Sequence, residues 1–254
     1  MLRPRTRIEY ESKWSKLIEP KLGRLAVSDL TTEAVTAWFA SLDPKYPTRN
    51  GHAYSILSMI CTTAVRDGLL QSSPCDVRGA INPKARKKVT ALTTVELHAI
   101  ADKLGADERY ARFKAVVLLA GWCGMRFGEV TELRRKDFNS DCTVVTVSRA
   151  VTHRVDPNTP DADRCRIDDT KNGEERSVTI PPHIKADVQA HLANYVGSSA
   201  DSLLFMPVRR GCHLNDRVFN KDVLKKAAKD VGREYLSAHD LRRFAGSRTP
   251  RLPR

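Results

Sequence analysis

The stretch "AHDLRRF" near the end of the chain carries His239 and Arg242 three residues apart. On a helix this spacing places both side chains on one face. An imidazole that exchanges a proton, beside a guanidinium that stabilises developing negative charge, suits phosphoryl transfer. By itself the pair is a weak signal, because a histidine and an arginine at this spacing often arise by chance.

A second arginine is held by an apolar stretch. Arg126 lies in "LLAGWCGMRFGEVTEL", where the pattern predicts that a buried helix breaks at Gly124 and restarts near Phe127. An arginine fixed at such a junction is oriented by the fold, which suits bidentate recognition of a phosphate. A structural arginine that caps the preceding helix is an equal alternative on these residues.

Lys171 directly precedes Asn172 and Gly173 in "RIDDTKNGEERSVTIP". This sequence predicts two short strands joined by a type I′ turn. A lysine at the tip of such a hairpin reaches into a DNA groove as a proton donor or as a phosphate contact. An ordinary surface hairpin explains the same residues.

The composition favours a polyanionic partner. Lys and Arg number 43 against 30 Asp and Glu, a net charge of +13, which favours nucleic acid over a membrane surface. A solvated basic surface is the alternative. No stretch has the apolar length of a membrane span, and the N-terminus lacks the features of a signal peptide, so we expect a cytoplasmic, nucleoid-associated protein. The six scattered cysteines predict reduced thiols, with no zinc site, no other metal and no disulfide.

The elements that position these residues fall into two predicted domains. Residues 1–81 read as a helical module. Thr6 and Glu9 form a capping box that opens a helix, which Pro20 ends. A second helix carries apolar residues at helical spacing, and Gly68 is the expected stop of a third. The apolar residues of the second helix are Val35, Trp38, Phe39 and Leu42.

A basic linker is predicted at 82–90, and its cations are Lys84, Arg86, Lys87 and Lys88. A linker of this charge is placed to follow DNA phosphates, although a soluble tether has the same composition. The second domain, 91–254, opens with a capping box of Thr93 and Glu96. The predicted fold is mainly α with a small antiparallel β-sheet, in the α+β class.

The order of three motifs resembles the tyrosine recombinase (phage integrase) family: "GMRFGEVTEL", a turn lysine followed by "ERSVTIP", and "AHDLRR". The stretch "PRTRIEYESKWSKLIEPKLGRLAVSDLT" is similar to the SAM-like helical core-binding domain of phage integrases. The resemblance implies a C-shaped clamp on double-stranded DNA and four protomers on two sites. It also implies attack by a tyrosine on the scissile phosphate without metal or cofactor. Arg126 and Arg242 would clamp the phosphate, Lys171 would protonate the departing 5′-oxygen, and His239 would assist proton transfer.

The sequence departs from this family after Phe244. In the family, a Gly-His or Gly-Trp motif and the nucleophilic tyrosine follow, whereas here only "AGSRTPRLPR" remains and no tyrosine follows Arg242. A nucleophile is required for the covalent step. The sequence therefore predicts an incomplete catalytic domain and an inactive prophage remnant, in which the family's tetramer is not assured.

Two alternatives stay open. One is a nucleophile-free DNA-binding protein that competes with an intact integrase. The other is an unrelated basic helical protein, such as a transcription factor, in which the three motifs coincide by chance.

Overall fold

A computed structural model of the chain describes residues 4–81, 90–153, 165–170, 173, 175–208 and 211–248. The chain divides into two compact units, Met1–Val89 and Thr90–Arg254. Each unit has its own cluster of buried apolar residues. The structure is mainly helical with short antiparallel strand pairs, which confirms the predicted fold class. Within the described part, no helix is long and apolar enough to cross a membrane.

Residues 4–81 of the first unit contain four α-helices, and a π-helical turn at Trp14–Ile18 joins the first two. They are α1 (Pro4–Lys13), α2 (Glu19–Leu22), α3 (Thr32–Ala40) and α4 (Pro47–Arg66). Both predicted ends of the first helix are wrong, because α1 begins before Thr6 and the helical path continues past Pro20. Pro20 lies in the first turn of α2, where a missing N–H removes no helical hydrogen bond.

The predicted stop at Gly68 is confirmed by the hydrogen bonds at the end of α4. Gly68 has a φ of 75°, a left-handed conformation that glycine adopts without a Cβ clash. Its N–H donates to the carbonyl of Val65 at 3.1 Å, and the N–H of Leu69 donates to that of Ala64 at 2.8 Å. This is the Schellman pattern, which satisfies carbonyls that the helix end leaves open.

The second unit is built around α6, whose residues Ala115–Gly121 are all buried. Its helices are α5 (Thr94–Gly105), α6 (Lys114–Trp122), α7 (Phe127–Glu132), α8 (Pro182–Tyr195), α9 (Asp216–Val218), α10 (Lys225–Ala228) and α11 (Ala238–Arg248). Helices α5, α8 and α11 pack against α6. The uninterrupted apolar sequence of α6 follows from this central position, because no face of the helix meets water.

Four short strands form an interrupted antiparallel ribbon: β1 (Val144–Val147), β2 (Arg149–His153), β3 (Cys165–Asp169) and β4 (Arg176–Thr179). β1 pairs with β4, and β2 pairs with β3. The predicted hairpin between β3 and β4 is therefore wrong. Only residue 148 separates β1 from β2, whereas residues 170–175 separate β3 from β4.

One hydrogen bond joins two described residues between β3 and β4. The N–H of Gly173 donates to the carbonyl of Thr170 at 2.8 Å, and Gly173 has a φ of 73°. Lys171 and Asn172 themselves lie outside the described residues. β3 and β4 pair with the preceding strands and not with each other.

The predicted capping box at the start of α5 is confirmed. The N–H of Glu96 donates to Thr93 Oγ1 at 3.2 Å, and the N–H of Thr93 donates to Glu96 Oε2 at 2.7 Å. Glu96 also accepts from Nε and Nη2 of Arg233, at 2.8 and 3.2 Å. Hydrogen bonding to Arg233 and then to Thr93 lowers the pKa of Glu96 to about 2.

This pKa gives a testable pH dependence. A folded-state pKa below the unfolded value stabilises the fold at neutral pH, and the contribution is lost as the pH falls from about 5 to about 2. Because the pair is partly exposed, we expect Glu96→Gln to cost about 1–2 kcal/mol at pH 7. Urea unfolding of parent and variant should show less than half of that difference at pH 3. An equal difference at both pH values would contradict this role for Glu96.

Candidate functional site

Arg126 lies at the junction that the sequence predicted. Helix α6 ends at Trp122, α7 begins at Phe127, and Arg126 is the N-cap residue between them. Gly124 turns the chain with a φ of 62°, and a Cβ there would lie 3.2 Å from Cβ of Ala245 on α11. The predicted helix break is confirmed, and the glycine allows α11 to approach the end of α6.

Glu129 holds two arginines with one buried carboxylate. It is fully buried, and it accepts from the N–H of Arg126 at 2.8 Å and from Arg126 Nη1 at 2.8 Å. Arg176 on β4 donates to the same carboxylate from Nη1 at 3.2 Å and from Nη2 at 2.5 Å. Burial alone raises the pKa of Glu129, but the hydrogen bonds from Arg176 and Arg126 outweigh it and hold the pKa below its ordinary value. Glu129 is therefore ionised at neutral pH.

Arg242 on α11 adds a third guanidinium to this cluster. Burial is the largest cause that lowers its pKa, and repulsion by Arg126 and Arg176 lowers it further, while Glu129 attracts it. Its buried Nη1 has no hydrogen-bond partner among the described residues. Three guanidinium groups and one carboxylate leave two net positive charges. We name Arg126, Glu129, Arg176 and Arg242 the arginine cluster.

A cavity of about 440 Å³ lies beside the arginine cluster, between the end of α6, β4 and α11. Its lining residues are Trp122, Cys123, Gly124, Val178, Arg242, Ala245 and Gly246. The lining combines apolar walls with one cationic side chain, and no tyrosine is among these residues. An anionic group that enters the cavity meets the side chain of Arg242.

The other predicted site residues divide into two groups. His239 lies in the first turn of α11, one turn before Arg242, and its side chain is exposed. Lys171 and the four linker cations lie outside the described residues; these cations are Lys84, Arg86, Lys87 and Lys88. The structure thus brings Arg126 and Arg242 within electrostatic reach of each other and places His239 on the same helix as Arg242.

The sequence analysis missed Glu129 and Arg176. Glu129 had a usable signal, since an acidic residue three positions after a helix N-cap is the capping-box spacing. Arg176 had none. It reaches Glu129 only because β4 pairs with β1, which places Arg176 opposite Val147.

A second buried carboxylate fixes α7 from its other end. Glu132 is 1% exposed and accepts from Arg134 Nε at 2.9 Å and from Arg149 Nε at 3.4 Å. The His213 ring donates from Nε2 to Glu132 Oε2 at 2.5 Å. Burial raises the pKa of Glu132, but the hydrogen bonds from His213 and Arg134 hold it below its ordinary value. Glu132 therefore anchors the helix that carries Arg126 to β2 and to the loop before α9.

The cysteine prediction is wrong for one pair. Cys165 on β3 and Cys212 in the loop before α9 form a disulfide, with their Cα atoms 6.1 Å apart. They are 47 residues apart in sequence, so their spacing gives no sign of the pairing. The cysteines outside this pair are free thiols: Cys61, Cys75, Cys123 and Cys142.

The described residues thus form a mainly helical two-unit protein with three arginines around one buried carboxylate. The family comparison is specific: the model of the phage integrase family matches residues 90–249. The chain belongs to the phage integrase family.

Two relatives support this membership. An integrase of Mycobacterium phage FRAT1 is 33% identical over 236 residues, which cover 92% of this chain and 67% of the relative. A putative prophage phiRv2 integrase of Mycobacterium tuberculosis is 34% identical over 246 residues, which cover 95% of this chain and 61% of the relative. The chain thus spans about three fifths to two thirds of the length of these relatives.

Solved structures show the same fold. The Tn1549 transposon integrase in complex with transposon right-end DNA superposes with a TM-score of 0.77 at 16% identity, over 97% of this chain and 81% of that one. A lambda integrase dimer bound to a COC′ core site superposes with a TM-score of 0.68 at 17% identity, over 97% of this chain and 83% of that one.

Proposed function

We propose that this chain is the DNA-binding and phosphate-binding part of a tyrosine-type site-specific recombinase. In this proposal residues 1–81 are the core-binding domain, 82–90 the basic linker and 91–254 the catalytic domain. The observation that carries it is the free Nη1 of Arg242 beside the Arg126–Glu129–Arg176 network. A buried N–H donor of a cation that lacks an acceptor is costly unless an anion completes the site.

The proposed occupant is a phosphodiester of double-stranded DNA. A phosphodiester offers two non-bridging oxygens, and guanidinium groups bind such oxygens in a planar fork. Arg126 and Arg242 would clamp these oxygens, with Arg176 adding positive charge. Fixed cations of this kind stabilise the extra charge of a pentacoordinate phosphorane. When a tyrosine attacks the phosphorus and the bond to the 5′-oxygen breaks, His239 would assist proton transfer and Lys171 would protonate that oxygen. The described residues at the cavity supply the cationic clamp but no tyrosine.

Electrostatics and family membership support DNA as the partner. The net charge of +13 favours a polyanion, and the linker cations at 82–90 suit phosphate contacts. The related Tn1549 transposon integrase and lambda integrase are bound to DNA in their solved structures, and lambda integrase also occurs as a tetramer on a Holliday junction. For this chain we propose binding to a duplex core site.

The tyrosines of the second unit do not suit the role of nucleophile. The hydroxyl of Tyr110 accepts from Lys226 Nζ at 3.2 Å, Tyr195 packs on the ring of His191, and Tyr235 is 93% exposed. None of them lines the cavity beside Arg242. We therefore propose that these 254 residues bind the scissile phosphate without forming a phosphotyrosyl bond.

Two assays on the full chain test this function. Binding to duplex DNA should weaken with salt, with the logarithm of affinity falling linearly against the logarithm of salt concentration. Incubation with a pool of nicked suicide duplexes should give no adduct that survives denaturation. Salt-independent binding would contradict phosphate contacts. A covalent adduct would instead show that a tyrosine of this chain acts as nucleophile, and peptide mapping would identify it.

A further inference from the structure

A second cluster of reactive side chains lies away from the arginine cluster. His153 at the end of β2, Cys165 at the start of β3 and Cys212 in the loop before α9 have ligand atoms within 4.8 Å of one another. His153 Nδ1 lies 3.5 Å from Cys165 Sγ, and Cys165 forms the disulfide with Cys212. Two sulfurs and an imidazole nitrogen are the donors that zinc prefers in proteins.

The histidine ring is already oriented for metal binding. His153 Nε2 lies 3.3 Å from the carbonyl oxygen of Leu214. A carbonyl oxygen only accepts, so this contact favours the tautomer with the proton on Nε2. The lone pair of Nδ1 is then directed towards Cys165 Sγ. Histidines that bind metals commonly donate their other ring N–H to a carbonyl or carboxylate, which fixes the tautomer and the ring.

One distance already suits a tetrahedral site, and reduction of the disulfide lets the two sulfurs separate to the spacing of zinc ligands. With bonds of about 2.3 Å to sulfur and about 2.0 Å to nitrogen, neighbouring ligands of zinc lie about 3.5 Å apart. The separation of His153 Nδ1 and Cys165 Sγ has this value. All three residues are partly exposed, so water can reach the site as a fourth ligand.

We propose that the reduced protein binds one Zn²⁺ through His153, Cys165 and Cys212. A dithiol reductant first converts the disulfide into two thiols: the protein takes up two electrons and two protons, and the dithiol becomes a disulfide. Zinc binding then releases the two thiol protons to solvent as two Zn–S bonds and one Zn–N bond form. In either state β3 is cross-linked to the loop before α9.

The cross-link ties together two supports of α7. β2, which ends at His153, packs against α7. His213, next to Cys212, donates to Glu132 on the same helix. Under reducing conditions the bound metal, and under oxidising conditions the disulfide, thus holds the ribbon and the loop that contact α7 in one arrangement. The proposal does not depend on DNA binding, and its test needs no DNA.

Cobalt(II) is the probe for the test, because thiolate-bound tetrahedral Co²⁺ absorbs strongly in the visible and near-ultraviolet. The full chain is reduced with a dithiol, freed of reductant under nitrogen and titrated with Co²⁺. We expect one equivalent to bind with thiolate charge-transfer bands, and Zn²⁺ to displace it. Cys165→Ser and Cys212→Ser should abolish these bands, and His153→Ala should weaken binding at least about tenfold.

A matched control uses the other neighbouring thiols. Cys61 and Cys75 interact through a hydrogen bond in the first unit and are not part of the proposed site. The double variant Cys61→Ser/Cys75→Ser should therefore keep full Co²⁺ binding. Alkylation of the reduced parent gives a reading that needs no variant: Zn²⁺ should protect Cys165 and Cys212 and leave the reactivity of Cys75 unchanged. Absence of metal binding by the reduced parent, or protection of other cysteines only, would overturn the proposal.

Discussion

Glu132→Ala is expected to lower the free energy of unfolding of the second unit by about 3 kcal/mol. The substitution removes the carboxylate that Arg134, Arg149 and His213 share at a position that is 1% exposed. The arginines retain Asp137 and Asp201, but the ring nitrogen of His213 loses its acceptor in a buried position. Urea unfolding followed by hydrogen exchange of the α6 amides measures this unit separately from the first.

Two comparisons sharpen the test. Glu132→Gln keeps the shape and one acceptor, so it should cost clearly less than Glu132→Ala. Asp230→Asn removes an equal charge from a pair with Lys103 in which both side chains are more than half exposed. This variant should unfold at the same urea midpoint as the parent. If Glu132→Ala has the same urea unfolding midpoint as the parent, the carboxylate does not anchor α7.

The features that the sequence predicted correctly are local ones. The capping box of Thr93 and Glu96, the stop at Gly68 and the break between Gly124 and Phe127 were all predicted, because each depends on residues within a few positions of one another. Local hydrogen bonds and backbone conformations decide such features. The two errors at the first helix are also local, since a π-turn at Trp14–Ile18 lets the helical path continue past Pro20.

The features that the sequence missed depend on long-range pairing. Arg176 joins Glu129 because β4 pairs with β1, and Cys165 meets Cys212 because β3 pairs with β2 beside the loop before α9. The residues 172–173 favoured a β3–β4 hairpin, and tertiary pairing overrode this local preference. The proximity of Arg126 and Arg242 was predicted from the family resemblance alone, since their separation in the chain carries no geometric information.

Arg242→Gln is expected to change stability and DNA binding in opposite directions. In the free protein Arg242 is a partly buried cation with an unpartnered Nη1, and Arg126 and Arg176 repel it. Removing its charge should raise the free energy of unfolding of the second unit by about 1 kcal/mol. If Arg242 binds a phosphate, the same change should weaken DNA binding by roughly tenfold to a hundredfold and reduce the salt slope by about one.

The neighbouring position supplies the control for this trade-off. Arg243 carries the same charge on the same helix, is 56% exposed and pairs with Asp240 at 3.2 Å. Arg243→Gln should therefore leave the unfolding free energy unchanged and reduce DNA affinity less than Arg242→Gln does. Destabilisation by Arg242→Gln would show that the arginine has a structural role within the fold. Stabilisation without any loss of DNA binding would show that its free donor does not face a phosphate. Only the combination of higher stability and weaker binding fits a cation that the fold keeps unpaired for its ligand. The charge of Arg242 opposes folding through repulsion, and the phosphate neutralises that same charge on binding.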